Sequence, residues 1–220
     1  MSHSAQRTVV VAIDGPAGAG KSTIAKALAR VLQLQYLDTG AMFRAVTSVA
    51  LSTGIDVNDD CAVGLIAEQL ILEMSNGSVI ANGVDVTVDI RSAHVTNAVS
   101  TVAANSLVRS VMRDRQRTWS EVNNGGVVEG RDIGTVVFPD AILKVYLTAT
   151  PQVRAERRVA EGGGDIDEIE KSIAERDLKD STRSDSPLRE SKDSVVVDTS
   201  HRTIEEIVSK IVGLVAERLT

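Results

Sequence analysis

Apolar and polar positions along this chain follow blocks whose period changes repeatedly. Residues 8–12, Thr-Val-Val-Val-Ala, form an unbroken apolar-rich run of strand length. From Lys21 the period lengthens, placing Ile24, Leu28, Val31 and Leu32 on one side of a helix. Residues 34–38 predict a short strand, and a second helix follows Thr39-Gly40 and reaches Leu51. Residues 60–70 predict a short amphipathic helix. Asn76-Gly77 and Asn82-Gly83, each flanked by strand-like residues, are hairpin-turn signals. Val84, Val86 and Val88 alternate with Asp85, Thr87 and Asp89, the pattern of a half-buried antiparallel strand.

Two helices are predicted over 93–104 and 107–122, the second rich in arginine: Arg109, Arg113, Arg115 and Arg117. Most of these are expected on an exposed helix face. Buried strands are predicted at 126–130 and 141–147. Thr150-Pro151 opens a further helix, with threonine at the N-cap and proline at the first helical position. This helix carries Arg154, Arg157 and Arg158 and breaks at Gly162-Gly163-Gly164, and helix resumes over 167–179. Residues 194–198 are the last predicted strand. Thr203-Ile204-Glu205-Glu206 is a capping box opening a terminal helix with Ile207, Ile211 and Leu214 on its apolar face.

Strands alternating with helices predict an α/β fold with a parallel sheet flanked by helices. An antiparallel patch does not belong inside such a sheet, so residues 54–95 are expected to form a small insertion. The two charged helices joined by three glycines, about 150–185, are expected to form a mobile helical lid. The whole chain is then one domain, with its core in 8–53, 96–149 and 186–220.

Composition narrows the class. At 220 residues, with 43% hydrophobic and 25% charged, the chain has the make-up of an ordinary globular domain. A net charge of −6 and 2% aromatic residues argue against nucleic-acid partners and an anionic membrane surface. The polar stretch 1–7 has no apolar signal-like run, no later run reaches membrane-spanning length, and the single cysteine cannot form an internal disulfide. A cytoplasmic protein is expected, and Cys61, beside Val63 and Leu65, is expected to be buried packing. No apolar stripe is left over once each helix covers a core, which points to a monomer.

The candidate chemistry begins at Asp14-Gly15-Pro16-Ala17-Gly18-Ala19-Gly20-Lys21-Ser22-Thr23, set between the first strand and the first helix. This is the order of a phosphate-binding P-loop, and the chain is expected to adopt a P-loop NTPase-type sheet. Glycines let backbone N–H groups turn inward around phosphates at the helix's positive end. Lys21 adds a point charge for the β- and γ-phosphates, and the Ser22 hydroxyl is placed to ligate the Mg²⁺ that accompanies ATP. No Asn-Lys-x-Asp or Asp-x-x-Gly pattern of a guanine switch occurs.

Arginines instead occur on separate segments: Arg44, Arg131, the Arg154/Arg157/Arg158 group, and Arg176 with Arg183. Arg44 lies near a helix N-terminus, and Arg131 and Asp132 fall beyond the carboxyl end of a strand, where ligands of open parallel sheets bind. Two polyanions meeting tail to tail would need such a distribution. Phosphoryl transfer to a nucleoside monophosphate needs no general base, because the acceptor phosphate, with a second pKa of about 6, is already ionised. Other small acceptors remain open on these grounds, as does a nucleotide-binding regulator whose arginines grip a protein or RNA.

Four stretches together resemble bacterial cytidylate kinases: 14–22, Leu37-Asp38-Thr39-Gly40-Ala41-Met42-Phe43-Arg44, Gly130-Arg131-Asp132-Ile133-Gly134-Thr135-Val136-Val137-Phe138-Pro139, and Glu175-Arg176-Asp177-Leu178-Lys179-Asp180-Ser181-Thr182-Arg183. The resemblance covers nearly the whole chain. It implies transfer of the ATP γ-phosphoryl group to CMP or dCMP. It further implies that Arg44 and Arg131 hold the CMP phosphate, with Thr39 nearby, and that Ser100, Arg109 and Asp132 face the cytosine edge. Arg176 and Asp180 would contact the ribose end, with Arg183 helping to close that side. Arg157 and Arg158 would reach from the lid to the ATP phosphates. Structurally, Asp132 could instead simply pair with an arginine.

Overall fold

The computed structural model describes residues 8–75 and 77–219. The stretch 1–7 and Asn76 of the first hairpin signal lie outside the described residues. In chain order the elements are β1 (Val9–Asp14), α1 (Lys21–Leu32), β2 (Tyr36–Asp38), α2 (Thr39–Ser52), α3 (Asp60–Gln69), β3 (Leu72–Ser75), β4 (Ser78–Ala81) and β5 (Val84–Asp85). They continue with α4 (Ala93–Ala104), α5 (Ser106–Val122), β6 (Gly125–Glu129), β7 (Leu143–Thr148), α6 (Pro151–Gly162), α7 (Ile166–Thr182), β8 (Val195–Asp198) and α8 (Ile204–Leu219). The chain divides into two compact units, one comprising residues up to Asp38 together with Arg117 onward, the other Thr39–Gln116.

The first unit is built on a five-stranded sheet of order β2-β6-β1-β7-β8. Every pairing in it is parallel. Helices cover it, so its inner strands are buried on both faces and read as continuous apolar runs rather than alternating ones. All of β6 is buried, and so is β1 after Val9. Ile24 and Leu28 of α1 and Ile207 and Ile211 of α8 pack with Ile13, Val127, Leu143 and Leu147 in one core. The helix signals act where their spacing placed them. Thr150 caps α6, with Pro151 in its first turn. Thr203 N–H donates to Glu206 at 2.9 Å, and Glu206 N–H to Thr203 Oγ1 at 3.2 Å, ahead of α8.

The second unit holds α2 to α4, the start of α5 and a three-stranded sheet of order β3-β4-β5 with antiparallel pairing. Asn82 and Gly83 both have positive φ, 51° and 80°, as the tight turn joining β4 to β5 requires. Three expectations are corrected in this unit. The predicted strand over 84–88 ends at Asp85. Asp85 Oδ1 accepts the Thr87 N–H at 2.9 Å, and the Thr87 hydroxyl accepts from Val79 N–H at 2.9 Å. These side chains offer the backbone a turn in place of the ladder. Only Val86 is buried, while Val84 and Val88 are exposed.

Cys61 is exposed, not buried. It shares a helix face with Leu65, itself exposed, whereas Val63, Gly64 and Ala67 make the buried face of α3. The arginines of α5 are not a plain solvated face either. Arg109 is buried, and Arg115 donates to the carbonyls of Leu70, Ala67 and Glu68 at 2.6, 3.0 and 3.1 Å. Those carbonyls lie at the end of α3, whose last turn lacks helical partners. Among the described residues no helix is long and apolar enough to cross a membrane.

Candidate active site

The loop between β1 and α1 is shaped by close approach as much as by torsion. Gly15 has φ 147°, and a Cβ there would stand 2.2 Å from the Leu147 carbonyl oxygen of β7. Gly18 has φ 75°, and a Cβ there would stand 2.9 Å from Arg154 Cβ on α6. Side chains at either position would push the loop away from its neighbours. Lys21, the first residue of α1, turns back so that Nζ donates to Pro16 O at 2.7 Å. Burial pushes its ammonium down to about 7, and Arg131 and Arg176 push the same way, against Glu129 and Asp177.

Beside this lysine is a hydroxyl–carboxylate group that sequence reading did not single out. The Tyr36 hydroxyl donates to the buried Glu129 carboxylate, and the Ser22 side chain is hydrogen-bonded to both. Burial raises the Glu129 pKa, and so does Asp38, its partner across the β2–β6 ladder. Burial and Glu129 hold the Tyr36 phenol above its ordinary value. The signal for this group was present but diffuse: acidic residues stand at the carboxyl ends of strands, where binding is expected.

The chain after β6 carries Arg131 and Asp132 into a short wide turn, Ile133–Val137. Arg131 Nε donates to Asp180 Oδ2 at 2.9 Å. Arg183 Nη2 lies 3.4 Å from Asp132 Oδ1, and its Nη1 lies 3.8 Å from Asp180 Oδ1. Arg131, Asp132, Asp180 and Arg183 thus form one chain of alternating charge, brought together from β6 and α7. The turn is held from below by Asp14, whose two oxygens accept the Ile133 and Gly134 N–H groups at 2.8 Å each. Arg117 holds its far end, donating to the carbonyls of Val137 and Val136 at 3.0 and 3.1 Å.

Helices α6 and α7 grip the phosphate loop from the other side. Arg154 pairs with Asp177 and donates to Ala17 O at 3.1 Å, and Asp177 Oδ1 accepts the Ala17 N–H at 2.9 Å. One peptide residue is therefore held by both partners of an ion pair. Arg157 donates to Thr199 Oγ1 at 2.9 Å and to Thr199 O at 2.7 Å. The Thr199 hydroxyl bonds in turn to Ala19 O at 3.1 Å. Arg158 pairs with Glu161 at 3.0 Å in solvent. Neither Asp177 nor Thr199 was singled out from the sequence.

Arg176 lies half-buried on α7. Four further candidates sit in the second unit. Thr39 is buried at the start of α2. Arg44 Nη1 donates to Ile90 O and to Thr96 Oγ1, both at 2.9 Å. Arg109 donates to Ala103 O at 2.9 Å, its guanidinium 5.3 Å from the Phe43 ring centroid. Ser100 is half-buried on α4.

The family model for cytidylate kinase matches residues 11–217. The chain belongs to the cytidylate kinase family. A cytidylate kinase from Streptomyces avermitilis is 44% identical over 227 residues, covering 99% of this chain and 98% of that protein. A bifunctional pantoate ligase/cytidylate kinase from Trichormus variabilis is 45% identical over 97% of this chain, which spans 42% of that longer protein. The fold is also seen in the crystal structure of an uncharacterized protein from Eubacterium ventriosum, with TM-score 0.53 at 12% identity, covering 94% of this chain and 98% of that one. The family is one of nucleoside monophosphate kinases.

Proposed function

We propose that this chain transfers the γ-phosphoryl group of ATP to CMP or dCMP, giving CDP or dCDP and ADP, and that it does so without a general base. Most support comes from Lys21, which is pushed toward neutrality first by burial and then by the charges of Arg131 and Arg176 beside it. Like charges so placed are unfavourable by themselves and are stabilised by a polyanion. The acceptor phosphate, with a second pKa of about 6, is ionised at neutral pH, so charge and positioning suffice. The nearby buried acids are already engaged, Asp14 by two backbone amides and Glu129 by Tyr36.

In this proposal the loop from Gly15 to Thr23 cradles the triphosphate, and Lys21 follows the transferring group. Arg131 and Arg44 take the CMP phosphate with Thr39, and Ser100, Arg109 and Asp132 read cytosine. Arg176, Asp180 and Arg183 close the ribose end. Arg157 and Arg158 reach the ATP phosphates as the 150–185 lid closes, Arg157 exchanging Thr199 for phosphate oxygen. The Ser22 hydroxyl, with the Glu129 and Asp38 carboxylates close by, is a set of hard oxygen donors that fits Mg²⁺. That ion, bound with ATP, would neutralise charge on the β- and γ-phosphates.

The test is steady-state ATP consumption with CMP, dCMP, UMP, AMP and GMP. CMP and dCMP are expected to turn over fastest. Faster turnover with any other acceptor overturns the assignment.

A further inference from the structure

We infer that Asp14 is a positioning residue that sets the distance between the ATP phosphate loop and the Arg131–Asp132 turn. It is the last residue of β1 and is followed directly by Gly15, where the phosphate loop begins. The β1–β6 ladder reaches only as far as Ile13 opposite Glu129 and the Gly130 N–H on Ile13 O at 2.9 Å. Beyond that point sheet pairing no longer holds the two chains in register. The Asp14 carboxylate continues the connection by accepting two successive N–H groups, Ile133 and Gly134, at 2.8 Å each.

Two adjacent donors require two acceptor oxygens. Only a carboxylate of this length supplies them, since an amide would set its NH₂ against one of the N–H groups. The choice is unfavourable in itself. Asp14 is 5% exposed, and burial raises its pKa to about 6, with the two amides offsetting part of that and Lys21 another part. Nearby Asp132 adds repulsion. An apolar side chain in its place would leave the Ile133 and Gly134 N–H groups buried without an acceptor. Two hydrogen bonds to one carboxylate also hold an orientation.

The turn is also immobilised around this contact. Ile133 is 1% exposed, and a Cβ on Gly134 would stand 3.1 Å from the Lys144 side chain. The Arg131 backbone is thus fastened on one side by the Ile13 carbonyl and on the other by Asp14, both on the strand that carries the phosphate loop. In the proposed reaction one end of this connection holds the donor phosphates and the other the acceptor phosphate. In-line transfer tolerates little error between them, a misplacement of about 1 Å costing roughly 10²-fold. This role for Asp14 rests on the kinase chemistry proposed above.

The experiment compares wild type with Asp14→Asn. For the variant, kcat with CMP is expected to fall about 10- to 100-fold. The separate dissociation constants for ADP and for CMP, measured by calorimetry, should barely change, because each half-site keeps its own contacts. The share of ATP hydrolysed to ADP without CDP formation should rise, a sign of misaligned acceptor that a general loss of stability does not produce. Unchanged kcat and hydrolysis share overturn the inference, and so does a loss of both binding constants in step with kcat. If Asp14→Asn does not fold, hydrogen exchange in wild type decides. Segment 131–137 must be protected in the free enzyme and equally protected with ADP and CMP bound, and exchange as fast as in exposed loops overturns the inference. Failure of wild type to phosphorylate CMP would count against the kinase proposal instead.

Discussion

The two sheets of this protein place charge differently. In the parallel sheet the acidic strand residues stand at the carboxyl ends, where β2, β6, β1 and β8 finish on Asp38, Glu129, Asp14 and Asp198. Of these, Glu129 and Asp14 are buried and held by hydrogen bonds. In the three-stranded antiparallel sheet, polar side chains alternate along the strands, as Glu73 and Ser75 do on β3, and stay in solvent. Covering both faces of a strand leaves charge nowhere to go but the ends. Covering one face lets charge spread along the strand, where water screens it. Concentrated, desolvated charge can do chemistry, and dispersed charge cannot.

The largest effect that could break this contrast belongs to Lys21. Lys21→Ala should lower kcat about 10³-fold or more, as loss of a preorganised charge does. Circular dichroism should be unchanged, because the removed ammonium stands beside Arg131 and Arg176 and not in the apolar core. The wild-type pH dependence has a definite sign. Lys21 is held near 7 in the folded chain against 10.5 unfolded. Between those values the unfolded chain carries more protons, so the free protein should gain stability as pH rises through that window. Denaturant titrations of both proteins between pH 7 and 10 check this, and the variant should lack that contribution.

Next in size is Asp132→Asn at the end of the same sheet. Cytosine presents an amino donor at N4, which a carboxylate accepts, whereas uracil presents an acceptor there. The amide can serve either, so the UMP-to-CMP ratio of kcat/KM should rise by about 1–3 kcal/mol of lost discrimination. Asp132 also pairs with Arg183. If that pairing is its whole purpose, both substrates will weaken together and the ratio will hold.

A smaller effect is expected where α7 meets the phosphate loop. Asp177→Asn removes the charge that pairs with Arg154 while leaving an acceptor for the Ala17 N–H. KM for ATP should rise about tenfold, equivalent to roughly 1.4 kcal/mol, with KM for CMP unchanged. An equal rise in both constants would show a general loosening of the lid instead.

The antiparallel sheet supplies the opposite limit. Val79→Ala on β4 removes a side chain that is 4% exposed and should cost about 1–2 kcal/mol of stability by denaturant melting. Its effect on kcat should be the smallest of these. A loss of turnover to match that of Asp132→Asn would mean that the second sheet also shapes the chemistry.

Local signals were legible without a structure. The run into the P-loop, the Thr150-Pro151 start of α6, the Thr203-to-Glu206 box and the Asn82-Gly83 turn each involve residues a few positions apart. The strand expected over 84–88 failed for the same local reason, because an Asp85–Thr87 turn outcompeted the apolar alternation. Cys61 was misjudged because its sequence neighbours Val63 and Leu65 lie on different sides of α3.

By itself the sequence determined where strands, helices and caps begin, and that a phosphate loop stands between the first strand and the first helix, because those choices depend on torsion, periodicity and short-range hydrogen bonds. Tertiary structure alone decided which carboxylate meets which partner. Asp14 reaches Ile133, Tyr36 reaches Glu129, and Asp177 reaches Ala17 across separations of 119, 93 and 160 residues. No local preference encodes such pairs. The first two form because the parallel order β2-β6-β1-β7 brings strand ends distant in sequence to one rim, where a buried acid must find a donor or be protonated, and the third because α7 lies against the phosphate loop.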